Sequence, residues 1–192
     1  MSALKTSSSP GPDGVHPMVL KECARVLCEP LHLLFMKSLS SGVVPEDWRR
    51  ANITPIFKKG SKTDPTNYRP ISLTSVVCKL LERLIQKRII EHLELNNFIS
   101  SHQHGFRRGM SCLTQLLEYF ADVEDILDEG HCADVIYLDC KKAFDTVPHA
   151  HLLVKVEGAG IVGGVKRWIA NFLENREQRV AIHDSYSTWR RV

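Results

Sequence analysis

Apolar residues recur along this chain with two periods, one helical and one alternating, and the switches between them mark its elements. Val19, Leu20, Cys23, Val26 and Leu27 share one face of a helix that has Pro17 in its first turn. Pro30 restarts the pattern, and Leu31, Leu34, Phe35 and Leu39 carry it to a stop at Gly42. Ala51 to Phe57 alternates weakly as a strand, and Tyr68 to Ser72 is extended, with Pro70 holding Arg69 out of helical geometry. The turn-rich stretch between them makes the whole a hairpin with cations at its tip and flank. Val77, Leu80, Leu81, Leu84, Ile85 and Ile89 line one side of a helix over residues 75–95. Its Lys79, Arg83, Lys87 and Arg88 read mostly as a solvated face. Leu113, Leu116, Leu117, Phe120, Val123 and Leu127 form another helical stripe.

Val135 to Leu138 is apolar, rich in β-formers and too short for a helix, so it reads as a buried strand that delivers Asp139 at its end. Leu152 to Glu157 is a short helix stopped by Gly158 and Gly160. Val165, Trp168, Ile169, Phe172 and Leu173 mark a clearer one, and two strands follow around Asp184 and Ser185. Residues 1–14, rich in Ser, Pro and Gly, read as a flexible leader.

Composition narrows the class. A chain of 192 residues, 43% of them hydrophobic, can bury a real core. Its apolar runs are too short to cross a membrane and the N-terminus lacks a signal-peptide core, so an intracellular protein is expected, with no membrane partner. The cysteines are scattered without a C-x-x-C pair, which suits reduced thiols, and His149 and His151 lack a partnering Cys pair at zinc-finger spacing. The net charge of +3 says little. Its distribution says more, because residues 49–69 hold six cations against Asp64 alone, a local excess of +5. A phosphate-facing surface has that character, and so does a solvated loop.

Asp139 is the first candidate for chemistry. A carboxylate at a strand end suits Mg²⁺, which takes oxygen ligands and is held by one or two carboxylates plus substrate phosphates. Taken alone, an Asp in this position more often simply ends a strand at the surface. Its surroundings alter that reading. D-C-K-K-A-F-D-T-V-P-H, residues 139–149, resembles motif A of the reverse transcriptase palm, closest to non-LTR (LINE-type) retrotransposons. N-Y-R-P-I-S-L, residues 67–73, resembles the first fingers motif of the same family, and Q-H-G-F-R-R-G, residues 103–109, the second. G-P-D-G near the start and the G-I-x-G-x-x-x-W-I-x-x-F-L-x-x-R-x-Q-x-V pattern after motif A match LINE-type enzymes too. Tyr119-Phe120-Ala121-Asp122 is a decoy for the family's Tyr-x-Asp-Asp turn, being mid-helix, upstream of motif A and short of the second Asp.

The resemblance implies an α+β fold: a flexible leader (1–14), a helical segment (15–50), helix-rich fingers (51–132) and a partial palm (133–192). It implies RNA-templated addition of deoxynucleotides to a DNA primer by two Mg²⁺ ions, with Asp139 as catalytic metal ligand. Phe144 would exclude a 2′-hydroxyl, and Asp145 matches a position read as structural. Arg69 would grip the dNTP triphosphate with a planar fork that Lys lacks, with Lys58 or Lys59 as a second contact. Gln103 and Arg107 would touch template or nucleotide, and Phe106 would be core.

Motif B and the Tyr-x-Asp-Asp carboxylates do not follow within these residues. A fragment is therefore expected, inactive alone and completed by the remainder of the polypeptide. The compartment expected is nuclear or cytoplasmic, as a ribonucleoprotein. A catalytically dead RNA- or DNA-binding remnant and a group II intron-type reverse transcriptase fragment are the rival readings.

Overall fold

The computed structural model describes residues 1–140 and 146–192. They fall into two units, Met1–Ile89 with Pro148–Val192, and Ile90–Val147.

In the first unit, α1 (Pro17–Glu22) gives way at Cys23 to α2 (Ala24–Ser41). The break thus falls at Cys23 and not at Pro30, which sits inside α2. A proline there forfeits one backbone hydrogen bond, but Leu27, Leu31, Phe35 and Leu39 all pack on the core and hold the helix together across it. Gly42 ends α2 in the left-handed region at φ 71°, where a side chain would be strained.

A 3-10 turn at Glu46–Arg49 leads into β1 (Arg50–Phe57), which pairs antiparallel with β2 (Tyr68–Thr74). Ser75 then starts α3 (Val76–Leu95), its hydroxyl accepting from the Cys78 backbone N–H at 3.3 Å. After Pro148 come α5 (His149–Gly158) and α6 (Gly163–Leu173), numbered to follow α4 (Cys112–Asp128) of the second unit, and then β3 (Glu177–Ile182), β4 (Ser185–Tyr186) and β5 (Arg190–Arg191).

The sheet order is β2-β1-β3-β4, with β5 also on β3. β1 and β3 run parallel, from Arg50 opposite Glu177 to Ile53 opposite Val180. Residues 177–191 therefore share a sheet with residues 50–74. The expected second strand over 186–191 is instead two short pieces, both bonded to β3.

The core gathers Leu4, Leu20, Val44, Trp48, Val76, Val77, Cys78, Leu81, Ile85 and Trp168. Several of the polar groups in and around it are matched. Trp168 Nε1 donates to Ser38 Oγ at 2.9 Å, Ser38 Oγ donates to the Val43 carbonyl at 2.6 Å, and the Val44 N–H donates to Asn171 Oδ1 at 2.8 Å. Burial pushes the Cys78 thiol far above its usual value, helped by the Glu82 carboxylate, which keeps it an inert packing group. Residues 1–14 contain no helix or strand. Leu4 is nonetheless only 8% exposed, and a Cβ on Gly11 would lie 2.5 Å from the Thr74 backbone.

The second unit holds the end of α3, a loop, α4 (Cys112–Asp128) and an irregular segment running to Cys140. Ser111 caps α4 through a reciprocal capping box with Thr114. One expectation fails here. Val135–Leu138 is not a buried strand: no ladder joins it to a described residue, and Ile136 and Leu138 are 82% and 92% exposed. An apolar run states a need for burial, whereas a strand also needs a partner backbone. α4 forms as the helical stripe predicts, but Leu113, Leu116, Leu117, Phe120 and Leu127 are all exposed. No helix among the described residues is long and apolar enough to cross a membrane.

Candidate functional site

The hairpin of β1 and β2 is stiffened so that its cations are presented rather than buried. The Lys58 N–H donates to the Asn67 carbonyl at 2.8 Å, closing the ladder just beyond Phe57. Inside the loop, Asp64 accepts from the Thr66 hydroxyl at 2.7 Å and the Thr66 N–H at 2.9 Å. Those two bonds hold its carboxyl below the usual value. Tyr68 Oη donates to the Lys62 carbonyl at 2.8 Å, its ring meets Phe57 edge-on, and the Lys62 ammonium lies over Phe57. Asp64 and Lys62 are thus used within the loop.

Lys58, Lys59 and Arg69 are exposed and, among the described residues, make no ion pair. Arg69 lies opposite Ile56 in the ladder, and Lys58 follows Ile56 by two residues, so strand alternation brings Lys58 and Arg69 to one side. Tyr68 and Pro70 point to the other side, where they line an apolar cavity of about 640 Å³ with Pro55, Val180 and Ile182. That cavity prolongs the core face of the sheet and lies across it from Arg69.

Two other arginines of the first unit are engaged structurally. Arg50 pairs with Glu46 at 2.7 Å and Glu177 at 3.0 Å, which together raise its pKa, the Glu177 hydrogen bond most. Arg179 Nε donates to Asn52 Oδ1 at 2.8 Å, and its guanidinium lies 4.0 Å from the Tyr186 ring and 4.6 Å from the Trp189 ring. Sequence charge counts these alike with Arg69. Only their partners tell them apart.

In the second unit, Gln103 is exposed, and its amide reaches only the Gly105 carbonyl, at 3.5 Å. Arg107 is turned inward: its Nη1 donates to the Ser100 carbonyl at 3.1 Å, with Ser101 and Gln103 carbonyls slightly farther, and its Nε faces Glu94 at 3.8 Å. It pins the loop. Phe106, expected in the core, is 83% exposed at φ 63°. The loop is held instead by His104, a position the motif leaves open. Buried His104 meets Thr114 Oγ1 at 2.9 Å and Glu118 at 2.5 Å, and His102 bonds the other Glu118 oxygen. His104 and then His102 hold the Glu118 carboxyl below its ordinary value. Nothing in the residue pattern signals this cluster.

Asp139 is exposed in the irregular segment. One contact joins that segment to α4: the Tyr119 and Tyr137 hydroxyls lie 3.4 Å apart, and that contact raises the Tyr119 pKa. Among the described residues no three His, Cys, Asp or Glu side chains gather as a metal site. A pair of Mg²⁺ ions needs several bridging carboxylates, so the described residues do not fit the ions by themselves. Phe144 and Asp145 lie outside the described residues.

The model of the family "Reverse transcriptase (RNA-dependent DNA polymerase)" matches residues 56–192. The chain is similar to the "Probable RNA-directed DNA polymerase from transposon BS" of Drosophila melanogaster, 32% identical over 97% of this chain and 21% of that protein. With the X-element counterpart of the same fly it shares 31% identity over 95% of this chain and 20% of that protein. For the polymerase "from mobile element jockey" the identity is 29%, over 98% and 20%. The chain spans about a fifth of the length of these relatives.

Proposed function

The chain belongs to the reverse transcriptase (RNA-dependent DNA polymerase) family, and from that premise we propose that it carries the nucleotide-receiving part of a LINE-type RNA-directed DNA polymerase. One observation carries this reading: Arg69 and Lys58 stand on one side of a braced hairpin, exposed and without carboxylate partners among the described residues. Two such cations suit a triphosphate, and the Arg fork can grip two of its oxygens at once. Lys59 is the alternative second contact. Template RNA and primer DNA would lie against the fingers and palm, with Gln103 contacting template or nucleotide. Arg107 would act by holding that loop in shape or by releasing its carbonyls to reach the strand. Phe144 would exclude a 2′-hydroxyl from the sugar pocket.

Asp139 would give one carboxylate to a divalent cation whose other ligands are not gathered among the described residues. Such a cation would supply charge neutralisation at the transferring phosphate. The purified chain is accordingly expected not to incorporate dNTPs.

The test is binding of a fluorescent dNTP analogue to the purified chain. Arg69→Ala should weaken it about tenfold, consistent with loss of a charge-assisted pair, and Arg69→Lys should recover only part of that. Equal affinity of all three proteins would refute the assignment.

A further inference from the structure

The leader and α3 enclose a charged cleft of about 330 Å³. Lys5, Ser8 and Ser9 line it from the leader and Lys79 and Arg83 from α3, above an apolar floor at Val76, and no Asp or Glu lines it. At about 30 Å³ per water molecule it has room for roughly ten waters, ample for a tetrahedral anion. Lys79 and Arg83 are four residues apart on α3, hence neighbours on one face, and like charges so placed repel. Lys5 adds a third cation, and none of the three makes an ion pair among the described residues. An anion is what the cleft is missing.

The leader itself holds a group that can supply one. Ser9 is exposed, its hydroxyl makes no hydrogen bond among the described residues, and Pro10 follows it. Proline-directed protein kinases select a serine by that proline, which has no N–H to satisfy in the kinase cleft and holds the serine extended. No helix or strand includes residues 1–14, so lifting this stretch into a kinase breaks only turn bonds such as the one from the Ser8 N–H to the Lys5 carbonyl, at 3.4 Å. Leu4 is buried five residues before Ser9, and Gly11 packs against the Thr74 backbone two residues after it. These two anchors return the stretch to the same place over α3, so the cleft needs little further ordering to receive a phosphate.

We propose that Ser9 is a phosphorylation site and that Lys5, Lys79 and Arg83 receive its phosphate, tying the leader to α3. The Ser9 hydroxyl oxygen attacks the γ-phosphorus of ATP, the bond from that phosphorus to the β,γ-bridging oxygen breaks, ADP leaves, and the hydroxyl proton passes to a base of the kinase. The product carries a charge of about −1.5 to −2 at neutral pH and three acceptor oxygens. One guanidinium and two ammonium groups match those oxygens as charge-assisted donors. Ser8 shares the cleft but is followed by Ser9, not by proline, so a kinase of this class passes it over. The site shares no residue with the Arg69 hairpin or with Asp139, and its tests contain no dNTP, so their outcome is separate from that of the polymerase reading.

The first measurement treats the chain with ATP and a recombinant mitogen-activated protein kinase. A gain of about 80 Da, one phosphoryl group, should map to Ser9, and Ser9→Ala and Pro10→Ala should each abolish it. Thr54, the other hydroxyl residue followed by proline, is locked in β1 and should stay unmodified. The second measurement uses the full chain with phosphoserine placed at position 9 during translation. Phosphorus NMR should show its second ionisation, which falls near pH 6 in a free phosphoserine, lowered to about pH 5 by the facing cations. Hydrogen exchange in residues 4–9 should slow about tenfold. Lys79→Gln/Arg83→Gln, whose glutamines keep α3 helical, should lose both effects, and Lys5→Gln, outside any helix or strand, should weaken both. Arg25→Gln/Lys37→Gln removes the same charge away from the cleft and should keep both.

Phosphate gained elsewhere, or none gained at Ser9, would overturn the modification site. A phosphorus titration unshifted from that of free phosphoserine, or shifted equally in Lys79→Gln/Arg83→Gln, would overturn the receiving cleft.

Discussion

Glu118 shows how a single side chain can brace a motif loop. It takes one bond from buried His104 and one from His102, and these lower its proton affinity in the folded state. In the unfolded chain the same carboxyl titrates near the ordinary value of 4.5. The unfolded state therefore binds this proton more readily, and acid favours unfolding. The stabilisation is complete above that unfolded value and is lost as pH falls through the lower, folded one. Glu118→Gln should remove this acid limb. Melting temperatures of both proteins, measured from about pH 7 to about pH 3, should differ at neutral pH and converge in acid. A constant gap would show that the carboxyl contributes nothing through its charge.

Among elements, α4 is the least satisfied. It is well capped and has a continuous apolar stripe, but Leu116, Leu117 and Phe120 are exposed. An uncovered stripe of this kind, with the exposed run at Val135–Leu138 in the same unit, favours association of one chain with another. The sedimentation coefficient of the unmodified chain should rise with concentration. Leu117→Lys/Phe120→Glu, which keeps good helix formers near the middle of the stripe, should sediment as a monomer with unchanged helical circular dichroism. A concentration-independent monomer in both cases would show the stripe to be harmless.

The whole molecule divides its stability unevenly. Nearly every core residue belongs to the first unit, where Leu81, Val44 and Cys78 are almost fully enclosed. The second unit has His104 as its only buried residue among those described. Burial of apolar surface supplies most of the resistance to local opening. Amides in residues 112–128 should therefore be at least about tenfold less protected from hydrogen exchange than those in residues 76–89, a gap of roughly 1.4 kcal/mol. Equal protection would mean that the units open together.

Much of this was legible in the residues themselves. Helical and alternating periods located α3, α4, α6 and the hairpin, because local side-chain spacing reflects which face seeks burial. N-Y-R-P-I-S-L and the segment at Asp139 pointed to the family, since those residue types at those spacings are specific. What lay beyond reach was every property that belongs to two distant segments at once. The parallel pairing of β1 with β3 joins residues more than a hundred positions apart, and no local pattern encodes it. Whether Val135–Leu138 forms a strand depends on a partner ladder, not on its own hydropathy. Whether a cation is free to bind depends on its neighbours in space: Arg50 and Arg179 are held by Glu177, Asn52 and aromatic rings, while Arg69 has no ion-pair partner among the described residues. Composition determines how much charge and apolar surface the chain carries, and tertiary structure alone determines which of it is already matched.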